Sequence, residues 1–304
     1  MEFKIATPQT TRIGWVGTGV MGLGMCRNVI QAGYQVTVFS RTKVKALPLI
    51  DIGAIWADSP AEVAAASDIS FAIVGMPEDV ESVFLGDVGM LAGASAGNIV
   101  VDMTTSKPEL ASRIYAAAKK KSVSSIDAPV SGGDIGARSG ALSIMIGGDE
   151  DAVAAVNPLF NVMGKTVVHQ GPAGSGQHTK MVNQILVGAG MIGVCESMLY
   201  ALQSGLNLQT VLRSVSSGAA GSWALTNLGP RIIEGNFDPG FFVEHFVKDL
   251  NIAFEESSRM GLSLRGLELV RELYTELENA GFGKSGTHAL QKTLSQSSDV
   301  EWPS

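Results

Sequence analysis

In the stretch "GSGQHTKMVNQ", residues 174–184, Lys180 is the one unambiguous charge, and no other Asp, Glu, Lys or Arg occurs between Gly171 and Cys195. Burying an ammonium in an apolar helix is costly and favours loss of its proton. Either a distant carboxylate such as Asp249 neutralises Lys180, or the perturbed amine serves chemistry. On a helix beginning near Gly174, Lys180 shares one face with Asn183 and Gln184, followed by Val187. Amides at i+3 and i+4 orient an ammonium without fully neutralising it, which leaves it able to give or take a proton at a substrate oxygen. His178 lies in the same turn, but Lys180 has the better company for catalysis.

A second constellation lies near the N-terminus. "GWVGTGVMGLG" contains Gly17-Thr18-Gly19-Val20-Met21-Gly22, a GxGxxG that follows an apolar run and opens an amphipathic segment. Such a motif is weak alone and strong between a strand and a helix. Gly17 permits a tight turn, Gly19 lets a pyrophosphate approach the backbone, and Gly22 lets helix and strand pack closely. Discrimination between NAD and NADP falls at the end of the second strand. The chain has Ser40, Arg41 and Thr42 there, with Lys43 and Lys45 beyond and no acid among them. A guanidinium flanked by hydroxyls suits a 2′-phosphate, so the expected cofactor is NADP, with NAD as the lesser alternative.

Two further polar stretches follow β-rich runs. "DMTTSKP" places Thr104 and Thr105 after one, and "DAPVSGGDIGARSG" places Ser131, Gly132 and Gly133 after another. A hydroxyl beside flexible backbone N–H groups is suited to holding a carboxylate. A glycine-rich loop of this length is unusual in a compact domain unless it is functional.

Strands and helices must position these groups. Apolar runs at 12–17, 35–40, 68–75, 97–103, 124–130, 141–148 and 165–170 read as strands covered on both faces, because most do not alternate. Ser59-Pro60-Ala61-Glu62 and Ser106-Lys107-Pro108-Glu109 resemble capping boxes at the starts of intervening helices. The alternation predicts an α/β fold, an N-terminal doubly wound, Rossmann-type parallel sheet over residues 1–171. After Gly171 the pattern turns helical: a segment from Gly174 to Ser204, then 207–217, 242–260, 265–280 and 284–296. Residues 172–304 are therefore expected to form an all-α substrate and oligomerisation domain that opens with a long interdomain helix.

A chain of 304 residues with 45% apolar and 17% charged residues has the composition of a well-buried globular protein. A formal net charge of −7 argues against nucleic acid or an anionic membrane as the main partner. Cys26 and Cys195 lie far apart in apolar runs, with no spaced Cys/His set, so no metal site is expected and a reducing compartment is. The run "ILVGAGMIGVC" is short for a bilayer span and reads as a buried helix. The N-terminus lacks secretory and transit patterns, and the expected location is the cytoplasm.

Taken together, "GWVGTGVMG", "DAPVSGG", "GSGQHTKMVNQ" and "FVKDL" resemble the β-hydroxyacid dehydrogenase family over about residues 11–295. The resemblance implies that Gly17, Gly19 and Gly22 hold a dinucleotide, that Met76 and Pro77 line its groove, and that Thr105 lies near the nicotinamide. It implies that Ser131 and Gly132 hold the substrate carboxylate and that Lys180 is catalytic with Asn183 beside it. From the helical domain it implies roles for Phe241, Lys248 and Asp249. Family members are commonly homodimers or homotetramers. Many carry two asparagines after the lysine where this chain has Asn183 and then Gln184, which bears on substrate size or pose rather than on reaction type. The expected activity is hydride transfer between a nicotinamide cofactor and a small β-hydroxyacid or the matching semialdehyde. The rival readings are a non-catalytic NADPH-binding sensor or scaffold and an imine reductase.

Overall fold

The computed structural model describes residues 3–302. The chain divides into two compact units, Met1–Lys180 and Met181–Ser304. They part inside a helix, further on than Gly171, where the sequence pattern changes.

The first unit is built on nine strands: β1 (Arg12–Val16), β2 (Gln35–Phe39), β3 (Ile55–Trp56), β4 (Ile69–Ala72), β5 (Ile99–Asp102), β6 (Ser124–Asp127), β7 (Val130–Ser131), β8 (Leu142–Gly147) and β9 (Gly164–Gly171). The order is β3-β2-β1-β4-β5-β6-β8-β7, with β9 paired to β8. The first six strands run parallel in the order 3-2-1-4-5-6, the doubly wound arrangement. Antiparallel pairing enters where β8 meets β6 and β7.

Every residue of β4 and β5 is buried, which is why these strands read as unbroken apolar runs. Alternate residues feed two separate cores. Ile13, Trp15, Phe71 and Val101 join one with Phe160, while Val16, Ala72 and Val100 join the other with Val80 and Ile114. In the first, Trp15 stacks on Phe71 at 5.5 Å and Phe71 meets Phe160 edge-on at 6.2 Å.

The structure revises three local expectations. The run 124–130 is two strands, since Pro129 has no N–H for the ladder and the chain bends there before Val130 pairs with β8. Two-residue β3 escapes pattern reading altogether. Of the two capping boxes, Ser59 accepts the Glu62 N–H at 3.1 Å while Glu62 takes the Asp58 N–H instead of the reciprocal one. The other helix starts at Pro108 with Lys107 as its N-cap, because Pro108 occupies the first helical position, and Ser106 lies one residue too early.

The second unit is helical. The long helix Ser175–Gln203 enters it and supplies Met191, Val194, Cys195 and Met198 to a core shared with Phe246 and Leu250 of Val243–Arg259 and with Val270 and Tyr274 of Arg265–Leu277. Phe246 meets Tyr274 edge-on at 4.7 Å. A Cβ on Gly188 would fall 2.4 Å from Val270 Cγ1, so glycine sets the closeness of that helix contact.

The long helix corrects the expectation of full burial. At 29 residues it is long and apolar enough to cross a membrane by length and composition, and only 44% of its most apolar window is buried. Its outer face carries Val182, Leu186, Ala189, Gly190, Gly193 and Tyr200, all exposed. Both cysteines are free and buried, and burial pushes both thiols far up, as for inert core residues.

Candidate active site

The glycine turn assigns each glycine its own task. Gly17 has φ +97°, and a Cβ there would fall 2.1 Å from the Ile73 carbonyl oxygen. The Trp15 indole N–H donates to Gly17 O at 2.9 Å and pins the turn. Gly22 packs against Gly17 so closely that its Cβ would lie 2.1 Å from Gly17 O. A Cβ on Gly19 would meet nothing within 4 Å, which leaves the backbone open to a ligand at the start of the helix Val20–Gln31. The first bond of that start runs from the Leu23 N–H to Gly19 O at 3.0 Å, so the preceding N–H groups have no intrahelical acceptor. Thr18 is buried, and among the described residues its Oγ1 has no hydrogen-bond partner. Orphaned hydroxyl, bare backbone and helix N-terminus fit the pyrophosphate of a dinucleotide.

Around this turn three of the other sequence-selected stretches follow the carboxyl ends of parallel strands, where doubly wound sheets bind ligands, while Ser131 belongs to the antiparallel strand β7. Ser40, Arg41 and Thr42 follow β2, and Met76 and Pro77 follow β4. Met76 is exposed, and Pro77 is the first residue of the helix Pro77–Leu85. After β5, Thr104 is structural: its Oγ1 accepts the Val74 N–H at 3.0 Å and its own N–H donates to Asp102 at 2.9 Å. Thr105 is half-buried.

One expectation needs correction. The sequence shows no acid among Ser40, Arg41 and Thr42, yet the structure brings Asp79 to Arg41 with Nη1 and Oδ1 2.8 Å apart. The cause is topological. β2 and β4 both flank β1, so residues far apart in the chain share one end of the sheet. Lys43 lies with its Nζ 4.9 Å from the centre of the Trp56 ring.

After β7 the backbone turns through Gly132 (φ +132°) and Gly133 (φ +62°), with Ser131 half-buried beside them. Lys180 reaches this loop. Its side chain is buried, and Nζ donates to Val130 O at 2.8 Å, one residue before Ser131. The amine and the carboxylate-holding loop proposed from the sequence are therefore brought together.

Sequence reasoning missed what holds Lys180 there. Asp127, the last residue of β6, caps the lysine's helix from outside: its carboxylate accepts the Gly174 N–H at 2.7 Å and the Gln177 N–H at 2.9 Å. Burial raises the Asp127 pKa, and the N–H donors of Gly174, Gln177 and Gly176 oppose that rise. Gln177, itself buried, donates to Thr104 O at 2.7 Å and accepts the Ser106 N–H at 2.9 Å, which ties the same helix start to the loop after β5. The available signals were a lone acid ending an apolar run and a lone amide one turn before the lysine.

In the second unit, Asn183, Gln184, Asp249 and Lys248 form a chain of contacts. Asn183 Nδ2 donates to Gln184 Oε1 at 2.7 Å, and Gln184 Nε2 donates to Asp249 Oδ2 at 2.5 Å. Lys248 Nζ lies 3.0 Å from Asp249 Oδ1. Gln184 thereby ties the long helix to the helix Val243–Arg259. Phe241 stands edge-on to Phe246 at 5.8 Å.

A doubly wound sheet with a glycine turn open to a dinucleotide marks an NAD(P)-binding protein. Comparison with known proteins agrees. Residues 12–171 match the profile described as the NAD-binding domain of 6-phosphogluconate dehydrogenase, and residues 174–294 match that of the NAD-binding region of NADP-dependent 3-hydroxyisobutyrate dehydrogenase. The chain is 51% identical to "Probable 3-hydroxyisobutyrate dehydrogenase-like 1, mitochondrial" of Arabidopsis thaliana, over 97% of this chain and 89% of that one. It is 35% identical to 2-hydroxy-3-oxopropionate reductase of Escherichia coli K12, over 93% and 97%. Its fold superposes on Mycobacterium tuberculosis 3-hydroxyisobutyrate dehydrogenase, solved with L-serine, at a TM-score of 0.85 with 26% identity, covering 93% and 99%. The chain belongs to the β-hydroxyacid dehydrogenase family.

Proposed function

We propose that this protein is an NADP-preferring dehydrogenase or reductase of small β-hydroxyacids and their semialdehydes, with Lys180 as the proton carrier. The observation that carries the reading is the buried Lys180 amine, 2.8 Å from the carbonyl that leads into Ser131 and Gly132. Ser131 and the Gly132–Gly133 backbone anchor the substrate carboxylate and so fix the substrate's distance and orientation. When bound, the nicotinamide supplies or takes up the hydride. In the oxidative direction a neutral Lys180 accepts the hydroxyl proton, and in the reductive direction its ammonium protonates the developing alkoxide. Asn183, fixed by Gln184, stands one helical turn beyond the lysine. The relative solved with L-serine supports a three-carbon β-hydroxyacid as the substrate class.

A panel of 3-hydroxyisobutyrate, serine, glyoxylate and succinic semialdehyde, assayed with each cofactor, tests this. The expected result is turnover of at least one compound with kcat/KM about tenfold or more higher for NADPH or NADP+ than for the unphosphorylated form. A strong preference for NADH would overturn the role given to Arg41, and cofactor binding without turnover across the panel would favour a sensor.

The same reading includes a homo-oligomer. The outer face of the long helix presents Leu186, 69% exposed, and Tyr200, 75% exposed. A Cβ on Gly190 or Gly193 would meet nothing within 4 Å, so another helix can approach closely. Aligned apolar residues of this kind suit a self-complementary contact. Leu186→Glu is expected to shift the protein to monomer in sedimentation velocity; an unchanged sedimentation coefficient would exclude this face.

A further inference from the structure

We infer that Asp79 sets how sharply this protein distinguishes NADP from NAD, an inference that rests on the proposed role of Arg41 at the 2′-phosphate. Asp79 lies in the first turn of the helix Pro77–Leu85 and holds two partners at once. Its Oδ1 lies 2.8 Å from Arg41 Nη1, and its Oδ2 accepts the Met76 N–H at 3.2 Å. The side chain of Asp79 is 24% exposed and that of Arg41 78%. The carboxylate is thus fixed by the helix start, and the guanidinium is the looser member of the pair.

The two cofactors make opposite demands at this point. A 2′-phosphate brings about two negative charges and needs the donor fork of an arginine. Here it must share that fork with a carboxylate already in place, which also repels it. A free 2′-hydroxyl needs an acceptor, the role an Asp or Glu at the end of the second strand plays in NAD-selective proteins. This chain lacks that acid in the loop after β2 and regains it from the first turn of the helix that follows β4. The Arg41–Asp79 pair therefore offers a donor to one cofactor and an acceptor to the other, and tempers a preference that Arg41 alone would make steep. An exposed pair of this kind contributes little to folding, so either partner can be replaced in a folded protein.

Asp79→Asn keeps an acceptor for the Met76 N–H and removes only the charge, and Asp79→Ser keeps a shorter capping oxygen. Calorimetric titration of the cofactor-free protein with NADP+ and with NAD+ reads the effect directly. Both variants are expected to bind NADP+ more tightly and NAD+ more weakly, moving the ratio of dissociation constants about tenfold toward NADP+. Arg41→Ala, measured alongside, is expected to weaken NADP+ by at least about tenfold. If Arg41→Ala does so while both Asp79 variants leave the ratio unchanged or move it toward NAD+, Asp79 has no such role and the Arg41 reading stands. If Arg41→Ala leaves NADP+ affinity unchanged, the Arg41 reading fails and the inference falls with it.

Discussion

Lys180→Met is expected to lower kcat by about 10²–10⁴-fold, the usual contribution of a positioned acid–base group. Methionine keeps the length and apolar stem of a side chain that is only 6% exposed, so the substitution removes the amine without opening a large cavity. NADP+ affinity, read by calorimetry, is expected to stay within about threefold, because the glycine turn does not depend on that amine. The loss belongs in kcat and kcat/KM together, since proton transfer is realised in the transition state. A variant that keeps kcat within about tenfold would remove Lys180 from proton transfer. One that loses NADP+ binding in step with activity would assign the lysine to the fold.

Asp127→Ala is expected to be the most destabilising single change in the first unit outside its hydrophobic cores. It strips acceptors from the Gly174 and Gln177 N–H groups, both buried, and each buried donor left unmade costs about 1–3 kcal/mol. A loss of about 3 kcal/mol corresponds to a fall on the order of 10 °C in the first thermal transition. Activity measured well below that transition is expected to fall as well, because the capped turn sets where Lys180 begins its reach. Asp127→Asn keeps one acceptor and is expected to fall between wild type and Ala. The pH dependence has a definite sign. Burial raises the folded-state pKa of Asp127, so its contribution to stability is full below the ordinary carboxylate range and is lost as pH rises through the raised value. Against the non-titrating Asn variant, wild type therefore loses relative stability on going from acid toward neutral pH. Thermal melts of the two proteins across that range check it; a gap that widens in favour of wild type as pH rises would contradict the assignment.

What could be read in the sequence, and what could not, follows from the range of the interactions concerned. Strands β4 and β5 were legible because every residue in them is buried, and β3 was not because two residues carry no period. The glycine turn was legible because its steric demands fall within six consecutive positions. Lys180 stood out through isolation, the one charge in a long apolar segment. Its support did not stand out: Asp127 meets the helix start, and Gln177 meets Thr104, only after the sheet has set β5 and β6 side by side. The Arg41–Asp79 contact was hidden for the same reason, since strand order rather than chain order makes them neighbours. Ser106 failed as a cap because Pro108, not the serine, fixed where the helix begins.

The two compact units part at Lys180–Met181, in the middle of one helix. A hybrid assembled by joining this nucleotide-binding half to the helical half of a relative keeps or loses Lys180 according to the splice point. Cut at the visible change of pattern near Gly171, the fusion takes its amine from the donor of the helical half and leaves Asp127 facing a foreign helix start. Cut after Met181, it retains the amine together with its cap and imports only the residues that follow.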